Sequence, residues 1–166
     1  MTRRLDDTKV GEYKNNWFFE LIQLLIAIAG CVALFIVPIT YVADEGVSVV
    51  TYLFGEHSNN YLLALAIVLA SSIGLLLLNI FLILAIPNVN KSVYVKISKV
   101  IEMILSITCF VMLGYYLYTI VTTSLYEGEM LSKVFTDISI YIVVVQLALI
   151  NSMLVYFNSK KVSIYD

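Results

Sequence analysis

The chain has 166 residues, of which 61% are apolar and 13% are charged, and its formal net charge at pH 7 is −2. A soluble domain would be about half apolar and about a quarter charged, so this composition excludes an ordinary soluble fold and indicates a membrane protein. The basic residues are spread over short segments instead of clustering on one element, which argues against nucleic acid as a partner.

Four long apolar runs dominate the sequence. They cover roughly residues 18–42, 61–86, 100–121 and 138–157. At about 1.5 Å per residue, a helix of this length crosses a hydrocarbon core of about 30 Å. The runs show no strand alternation, and a backbone at lipid depth must satisfy its own hydrogen bonds. We therefore predict an all-α membrane protein in which residues 1–166 form a single four-helix transmembrane bundle.

Prolines lie near the ends of the first two runs. Pro38 removes a backbone hydrogen bond to Leu34 and is expected to bend the first helix, which would continue to residue 42. Pro87 is expected to stop the second helix, and residues 87–99 then form the connection to the third.

The other two connections contain short patterned segments. In residues 43–60, apolar and Thr side chains recur every second residue, which fits either a short strand or an amphipathic segment on the membrane surface; they are Val47, Val49, Thr51 and Leu53. In residues 122–137, helical spacing of Leu131, Val134 and Phe135 predicts a short interfacial turn or an extension of the fourth helix.

Basic residues are distributed unevenly among the connections. Nine of the ten lie before the first run, between the second and third, or after the fourth, whereas the remaining connections hold only Lys133 against six carboxylates. Because cytoplasmic loops are enriched in Lys and Arg, we predict a multi-pass protein of the cell membrane with both termini in the cytoplasm. The nine residues are Arg3, Arg4, Lys9, Lys14, Lys91, Lys96, Lys99, Lys160 and Lys161.

Strongly polar residues inside the runs are the candidate site. The predicted topology places Gln146 near the midplane and four others in the cytoplasmic leaflet: Gln23, Asn79, Glu102 and Asn151. An unpaired polar group in hydrocarbon is costly, so these residues should face protein or water. They form either a polar vestibule or substrate site, or interhelical hydrogen bonds worth about 0.6–2 kcal/mol each. An acid on a membrane helix suggests function, although Glu102 could simply pair with Lys99 at a solvated interface.

Small residues four positions apart predict faces on which helix backbones approach closely. Such contacts lie either within the bundle or between protomers. The candidates are Ala29 and Ala33 on the first run, Ala66, Ala70 and Gly74 on the second, and Ala148 and Ser152 on the fourth.

The sequence lacks the signatures of catalysis and of cofactor binding. Cys31 and Cys109 are single residues inside runs, His57 is the only histidine, and no nucleophile–base pair or metal-ligand set is visible, so we expect no enzyme activity, cofactor or metal. The expected function is a non-catalytic membrane subunit or scaffold. It would pack laterally in the lipid bilayer against other subunits or its own copies, for example as an accessory subunit of a respiratory or transport assembly. The alternative is a small oligomeric channel or transporter for a cation or small solute.

Overall fold

The computed structural model describes residues 17–55, 59–85 and 91–162. In chain order, these form α1 (Trp17–Ile36), β1 (Pro38–Val42), β2 (Glu45–Ser48), α2 (Val49–Phe54), α3 (Asn60–Ala85), α4 (Lys91–Thr123) and α5 (Gly128–Val162). Four of these helices, α1, α3, α4 and α5, are long and apolar enough to cross a membrane. The prediction of four membrane-length helices is therefore confirmed, and they indicate a multi-pass membrane protein.

The long helices pack through buried positions spaced alternately three and four residues apart, which we call the seam. On α4 the seam contains Val95, Lys99, Glu102, Ser106, Cys109, Leu113, Tyr116 and Ile120, and on α5 it contains Val134, Ile138, Tyr141, Val145, Ala148, Ser152 and Val155. A repeat of about 3.5 residues keeps one stripe of each helix against its neighbours and is typical of left-handed bundles. The helices accordingly form a ring in which α1 contacts α3 and α5, and α4 contacts the same two helices.

The two ends of the bundle differ in chemistry. We call the end that carries β1, β2 and α2 the hairpin end, and the opposite end, where α1 begins and α5 finishes, the terminal end. The main hydrophobic core lies toward the hairpin end, where Ile39, Val49 and Tyr52 pack with seam residues such as Leu113. Toward the terminal end the seam becomes polar, with Gln23, Asn79, Lys99, Glu102 and Ser152 all buried.

Pro38 ends the first helix instead of bending it, so the predicted span to residue 42 is too long. The helix stops at Ile36, and Pro38 becomes the first residue of β1, a position at which a strand tolerates the missing N–H. A side chain compensates for lost backbone bonds at this point. The Tyr141 hydroxyl lies 3.0 Å from the Ala33 carbonyl oxygen and 2.6 Å from that of Val37, so its single hydrogen bonds mainly to the nearer Val37 oxygen.

The segment after α1 matches the strand alternative only in its first part, because Val47 lies in β2 whereas Val49, Thr51 and Leu53 lie in α2. First, β1 and β2 pair as an antiparallel hairpin, with Ala43 and Asp44 at φ 50° and 67° in the turn. Positive φ at both central residues is typical of the two-residue turn whose twist matches its strands. Then Ser48 ends β2 and caps α2, accepting a hydrogen bond from the Thr51 N–H at 3.3 Å.

Both α4 and α5 begin earlier than predicted. Lys96 and Lys99 therefore lie on α4 and not in a connection at 87–99, and the connection at 122–137 shrinks because α5 starts at Gly128. Of the two alternatives for that segment, the extension of the fourth helix is observed. With 33 and 35 residues, these helices are about 50 Å long and exceed the thickness of a hydrocarbon core.

Replacing Tyr141 with Phe should loosen the junction between α5 and the end of α1. The variant keeps the ring but removes the hydroxyl donor of the Val37 carbonyl oxygen, whereas the Ala33 carbonyl oxygen still accepts from the Val37 N–H at 2.8 Å. We therefore expect a loss of about 1–3 kcal/mol in unfolding free energy. Denaturant unfolding in mild detergent measures this loss. The control is Tyr118→Phe, because Tyr118 is 65% exposed. Equal stability of the two variants would contradict the proposed role of Tyr141.

Candidate functional site

Six side chains from all four long helices meet at the terminal end of the seam, and we call them the polar cluster. They are Gln23 on α1, Asn79 on α3, Tyr94, Lys99 and Glu102 on α4, and Ser152 on α5. Tyr94 is half-buried, whereas each of the other five is 2% exposed or less. The cluster is therefore the most polar part of an otherwise apolar interior.

Lys99 and Glu102 form the charged centre of the polar cluster. The Lys99 Nζ lies 2.8 Å from the Glu102 Oε2, and both side chains are 1% exposed. They are three residues apart on α4, so the helix places both charges on one face. A charge taken out of water must be paired, and its remaining hydrogen-bonding groups must be satisfied, or burial costs several kcal/mol. The burial corrects the alternative of a solvated interfacial pair.

Both members of the ion pair have additional partners on other helices. The Oε1 of Glu102 accepts from the Asn79 Nδ2, and its Oε2 also accepts from the Ser152 hydroxyl at 2.7 Å. The Lys99 Nζ donates to the Gln23 Oε1 at 2.8 Å. Behind Asn79, the Tyr94 hydroxyl donates to the Asn79 Oδ1 at 2.8 Å. One ion pair thus connects α1, α3, α4 and α5 at a single level of the bundle.

Several buried polar atoms near the polar cluster have no hydrogen-bond partner among the described residues. These include the Gln23 Nε2, the Ser106 hydroxyl and both amide atoms of Asn151. Ser106 lies one turn beyond Glu102 on the seam, and Asn151 directly precedes Ser152. Each such atom costs about 1–3 kcal/mol if it stays unpaired. The region therefore offers more hydrogen-bonding capacity than its own side chains use.

The structure divides the five predicted polar residues into three groups. Gln23, Asn79 and Glu102 belong to the polar cluster, and Asn151 is buried beside it. Gln146, expected to face protein or water, does not face the interior of this bundle, because its side chain is on the exposed surface of α5. The reason is its position one residue after the seam residue Val145, which rotates it by about 100° around the helix.

The small residues predicted to mark packing faces are only partly inside. Ala33, Ala66, Ala148 and Ser152 are buried and Ala70 is half-buried, which fits contacts within the bundle, whereas Ala29 and Gly74 are exposed, which leaves contacts between protomers as their alternative. A Cβ at Gly74 would meet no atom within 4 Å, whereas one at Gly30 would lie 3.0 Å from the Ile73 side chain. A strict four-residue repeat rotates gradually around the helix, whereas the seam alternates between steps of three and four residues. Residues at four-residue spacing therefore do not all stay on the buried face.

Sequence reasoning missed the roles of Lys99, Tyr94 and Ser152. Lys99 was assigned to a connection on the strength of its charge, and Ser152 was assigned to packing alone. A signal for Lys99 was nevertheless present, because Lys99, Glu102, Ser106 and Cys109 follow the alternating spacing of the seam. Extending that pattern backward from the apolar part of α4 would have placed Lys99 in the interior.

Lys99 also leaves the set of basic residues that could mark the cytoplasmic side, because its charge is neutralised inside the bundle. Lys91 and Lys96 remain in that set, because both lie in the first two turns of α4 at the terminal end. The basic residues that precede the first run, together with His57, lie outside the described residues. In the part of the chain that is described, no group of three His, Cys, Asp or Glu side chains could hold a metal ion.

Tyrosine hydrogen bonds close the hairpin end. The Tyr41 hydroxyl donates to the Asp137 Oδ2 at 2.6 Å, and the Tyr126 hydroxyl lies 3.1 Å from the Thr40 Oγ1. The Tyr41 N–H also donates to the Tyr126 hydroxyl at 3.3 Å. Partial burial, reinforced by Asp137, raises the pKa of Tyr41 to about 12. Tyr41 therefore remains a neutral donor at physiological pH, which favours a stable closure.

No protein-family model, curated protein or solved structure matches the chain. The functional argument therefore depends on the geometry of the site and of the helix surfaces.

Removing one charge of the central pair should destabilise the bundle more than removing both. Lys99→Met leaves Glu102 buried without its cation, so we expect a loss of about 3–5 kcal/mol. The double variant Lys99→Met/Glu102→Gln contains no buried charge, and its amide can still bond to Asn79 and Ser152. We expect it to recover most of that loss in denaturant unfolding.

The control for this comparison is Lys133→Met, because Lys133 is exposed on α5 and its loss should change stability by less than about 0.5 kcal/mol. If the double variant were no more stable than Lys99→Met, charge compensation would not be the function of the pair.

Proposed function

We propose that the protein is a non-catalytic integral membrane protein of the cell membrane, with both termini in the cytoplasm, that packs laterally against other membrane subunits or its own copies. The observation that supports this most strongly is the exposed amide of Gln146 in the middle of a membrane-length helix. An amide that faces hydrocarbon without a partner is costly, whereas a neighbouring helix can satisfy it.

Gln146 is part of an exposed stripe that we call the α5 outer face. It contains Ser132, Thr136, Ser139, Val143 and Gln146, again spaced alternately four and three residues apart. Toward the hairpin end, this face contains a shallow depression of about 540 Å³ lined by Ser132, Thr136, Ser139 and their apolar neighbours. Small side chains of this kind allow a second helix to approach closely.

Two of the four polar side chains on the α5 outer face form hydrogen bonds within their own helix. The Thr136 hydroxyl donates to the Ser132 carbonyl at 2.9 Å, and the Ser139 hydroxyl donates to the Phe135 carbonyl at 2.6 Å. These hydroxyls therefore tolerate an apolar environment. The Gln146 amide, with two donors and an acceptor, is the group on this face that gains most from a partner.

Val143→Trp should disrupt lateral assembly, because the large ring fills the α5 outer face one turn from Gln146. Native mass measurement after mild extraction should show a smaller species than wild type. Gln146→Leu should have a weaker effect, a loss of about 0.6–2 kcal/mol in association energy.

The matched control is Val111→Trp, which makes the same substitution on α4 at a residue that is 62% exposed. Val111 lies nine residues beyond Glu102, and Val143 lies nine before Ser152, so the two positions are at about the same level of the bundle. A wild-type protein that extracts as a stable monomer without partners would overturn the proposal.

A small oligomeric transporter for a cation or small solute is the second candidate, and the buried pair Lys99–Glu102 favours it. Ionisable residues within membrane helices commonly mark the pathways of ions or protons. A bundle of four helices with a filled seam would need symmetric association to enclose a conduit. This candidate is therefore compatible with lateral assembly but adds a transport role for the polar cluster.

Flux through reconstituted vesicles tests the transport role. The Lys99→Met/Glu102→Gln variant is expected to remain folded, so a loss of cation flux in it would be due to the missing charges. Glu129→Gln, which removes an exposed carboxylate at the start of α5, should leave flux unchanged. Equal flux in wild type and the double variant would exclude the ion pair from any transport mechanism.

A further inference from the structure

We propose that the polar cluster binds internal water that enters from the terminal end alone, so that the terminal half of the bundle forms a one-sided hydrated chamber. This inference does not depend on lateral assembly. It follows from buried hydrogen-bonding groups that lack partners and from the unequal chemistry of the two ends.

The first line of support is the set of unpartnered polar atoms. Within residues 17–55, 59–85 and 91–162, the Gln23 Nε2, the Ser106 hydroxyl and both amide atoms of Asn151 have no hydrogen-bond partner, although these residues are at most 3% exposed. These atoms come from α1, α4 and α5, so the missing hydrogen-bond partners are not explained by the placement of a single helix. Because nearly all buried polar groups in proteins are hydrogen-bonded, four orphaned atoms in one region indicate a polar occupant.

The chemistry of these atoms favours water over an ion. The two amide nitrogens donate, the Asn151 Oδ1 accepts, and the Ser106 hydroxyl does either. Lys99 and Glu102 already neutralise each other, so the region has no net charge for an ion to balance. A water molecule donates and accepts, and buried waters typically make about three hydrogen bonds to groups of this kind. The Lys99 ammonium adds a further donor, because it carries three hydrogens and bonds to Gln23 and Glu102.

The second line of support concerns access. From the polar cluster toward the hairpin end, the seam continues with buried residues such as Cys109, Leu113 and Val145, and the Tyr141 hydroxyl is bonded to α1 carbonyls. In the opposite direction, Gln23 is only about 9 Å along α1 from Trp17, and half-buried Tyr94 adjoins Asn79. The apolar layer is therefore thinner on the terminal side, where the seam has only Val95 on α4 and Val155 on α5, than on the hairpin side, where buried apolar residues continue to Ile120 on α4.

A hydrated chamber would give the ion pair contact with one aqueous compartment although neither side chain is itself exposed. Water that reaches Asn151 and Ser106 would also hydrate the Lys99–Glu102 pair without crossing the apolar half of the bundle.

Cysteine accessibility in sealed vesicles tests this proposal. In full-length protein carrying Cys31→Ser and Cys109→Ala, Ser106→Cys and Asn151→Cys are treated with a small membrane-impermeant cationic thiosulfonate from each side in turn. A separate variant, Thr2→Cys, is labelled in the same way, and the side from which it reacts is the side that carries the N-terminus. Because thiosulfonates react with hydrated thiolates, the cysteines of the Ser106→Cys and Asn151→Cys variants should both react at least about tenfold faster from the terminal side.

The matched control is Val145→Cys, a seam position in the apolar half, which should stay unreactive from both sides. If neither the Ser106→Cys nor the Asn151→Cys variant reacted, the proposal of a hydrated chamber would be overturned. Equal reaction from the two sides would overturn the one-sided access while leaving lateral assembly untouched.

Stability provides an independent measurement that does not require a cysteine. Asn151→Leu replaces the amide with an apolar side chain of similar size, and it should lower the unfolding midpoint if Asn151 binds water. In a dry interior the same substitution would remove an unpaired amide and raise the midpoint, which would contradict the proposal. The control Ile150→Leu, at an exposed neighbouring position, should leave the midpoint unchanged.

Discussion

The buried ion pair between Lys99 and Glu102 constrains the register of every long helix in this bundle. Two opposite charges inside an apolar protein are tolerable only while each remains paired and hydrogen-bonded. Gln23, Asn79 and Ser152 supply those bonds from three other helices, so all of them must lie at one level. A slip of one residue would rotate a partner by about 100° and leave a charge unsatisfied. We infer that the pair contributes more to a unique arrangement than to net stability.

This constraint explains why the two ends of the bundle are built differently. The seam is polar at the terminal end and apolar at the hairpin end, where Pro38 stops α1 and the β-hairpin packs over the core. Tyr141 joins the two halves, because it is a seam residue whose hydroxyl bonds to the carbonyls at the end of α1. Tyrosine hydrogen bonds thus close the end that holds the main hydrophobic core, and the buried charges lie toward the other end.

The outer surface of the bundle is mostly apolar and has few polar side chains. Large apolar side chains cover it on all four long helices, as a lipid environment requires. Against that background, the exposed amide of Gln146 and the small hydroxyl residues above it are exceptions that a second helix would explain. The lateral surface and the polar cluster are thus separate features. We propose a membrane partner for the first and bound water for the second.

The sequence by itself determined the helical, membrane-spanning character of the chain, because runs of apolar residues have few physical alternatives in lipid. It also identified Gln23, Asn79, Glu102 and Asn151, since strongly polar residues in such runs are conspicuous. Which of these residues meet was decided only by the tertiary structure. Lys99 looked like a loop charge until α4 proved to begin at Lys91, and Gln146 looked internal until the seam passed through Val145. A shift of one position around a helix moves a side chain from the interior to the surface, and composition carries no information about that angle.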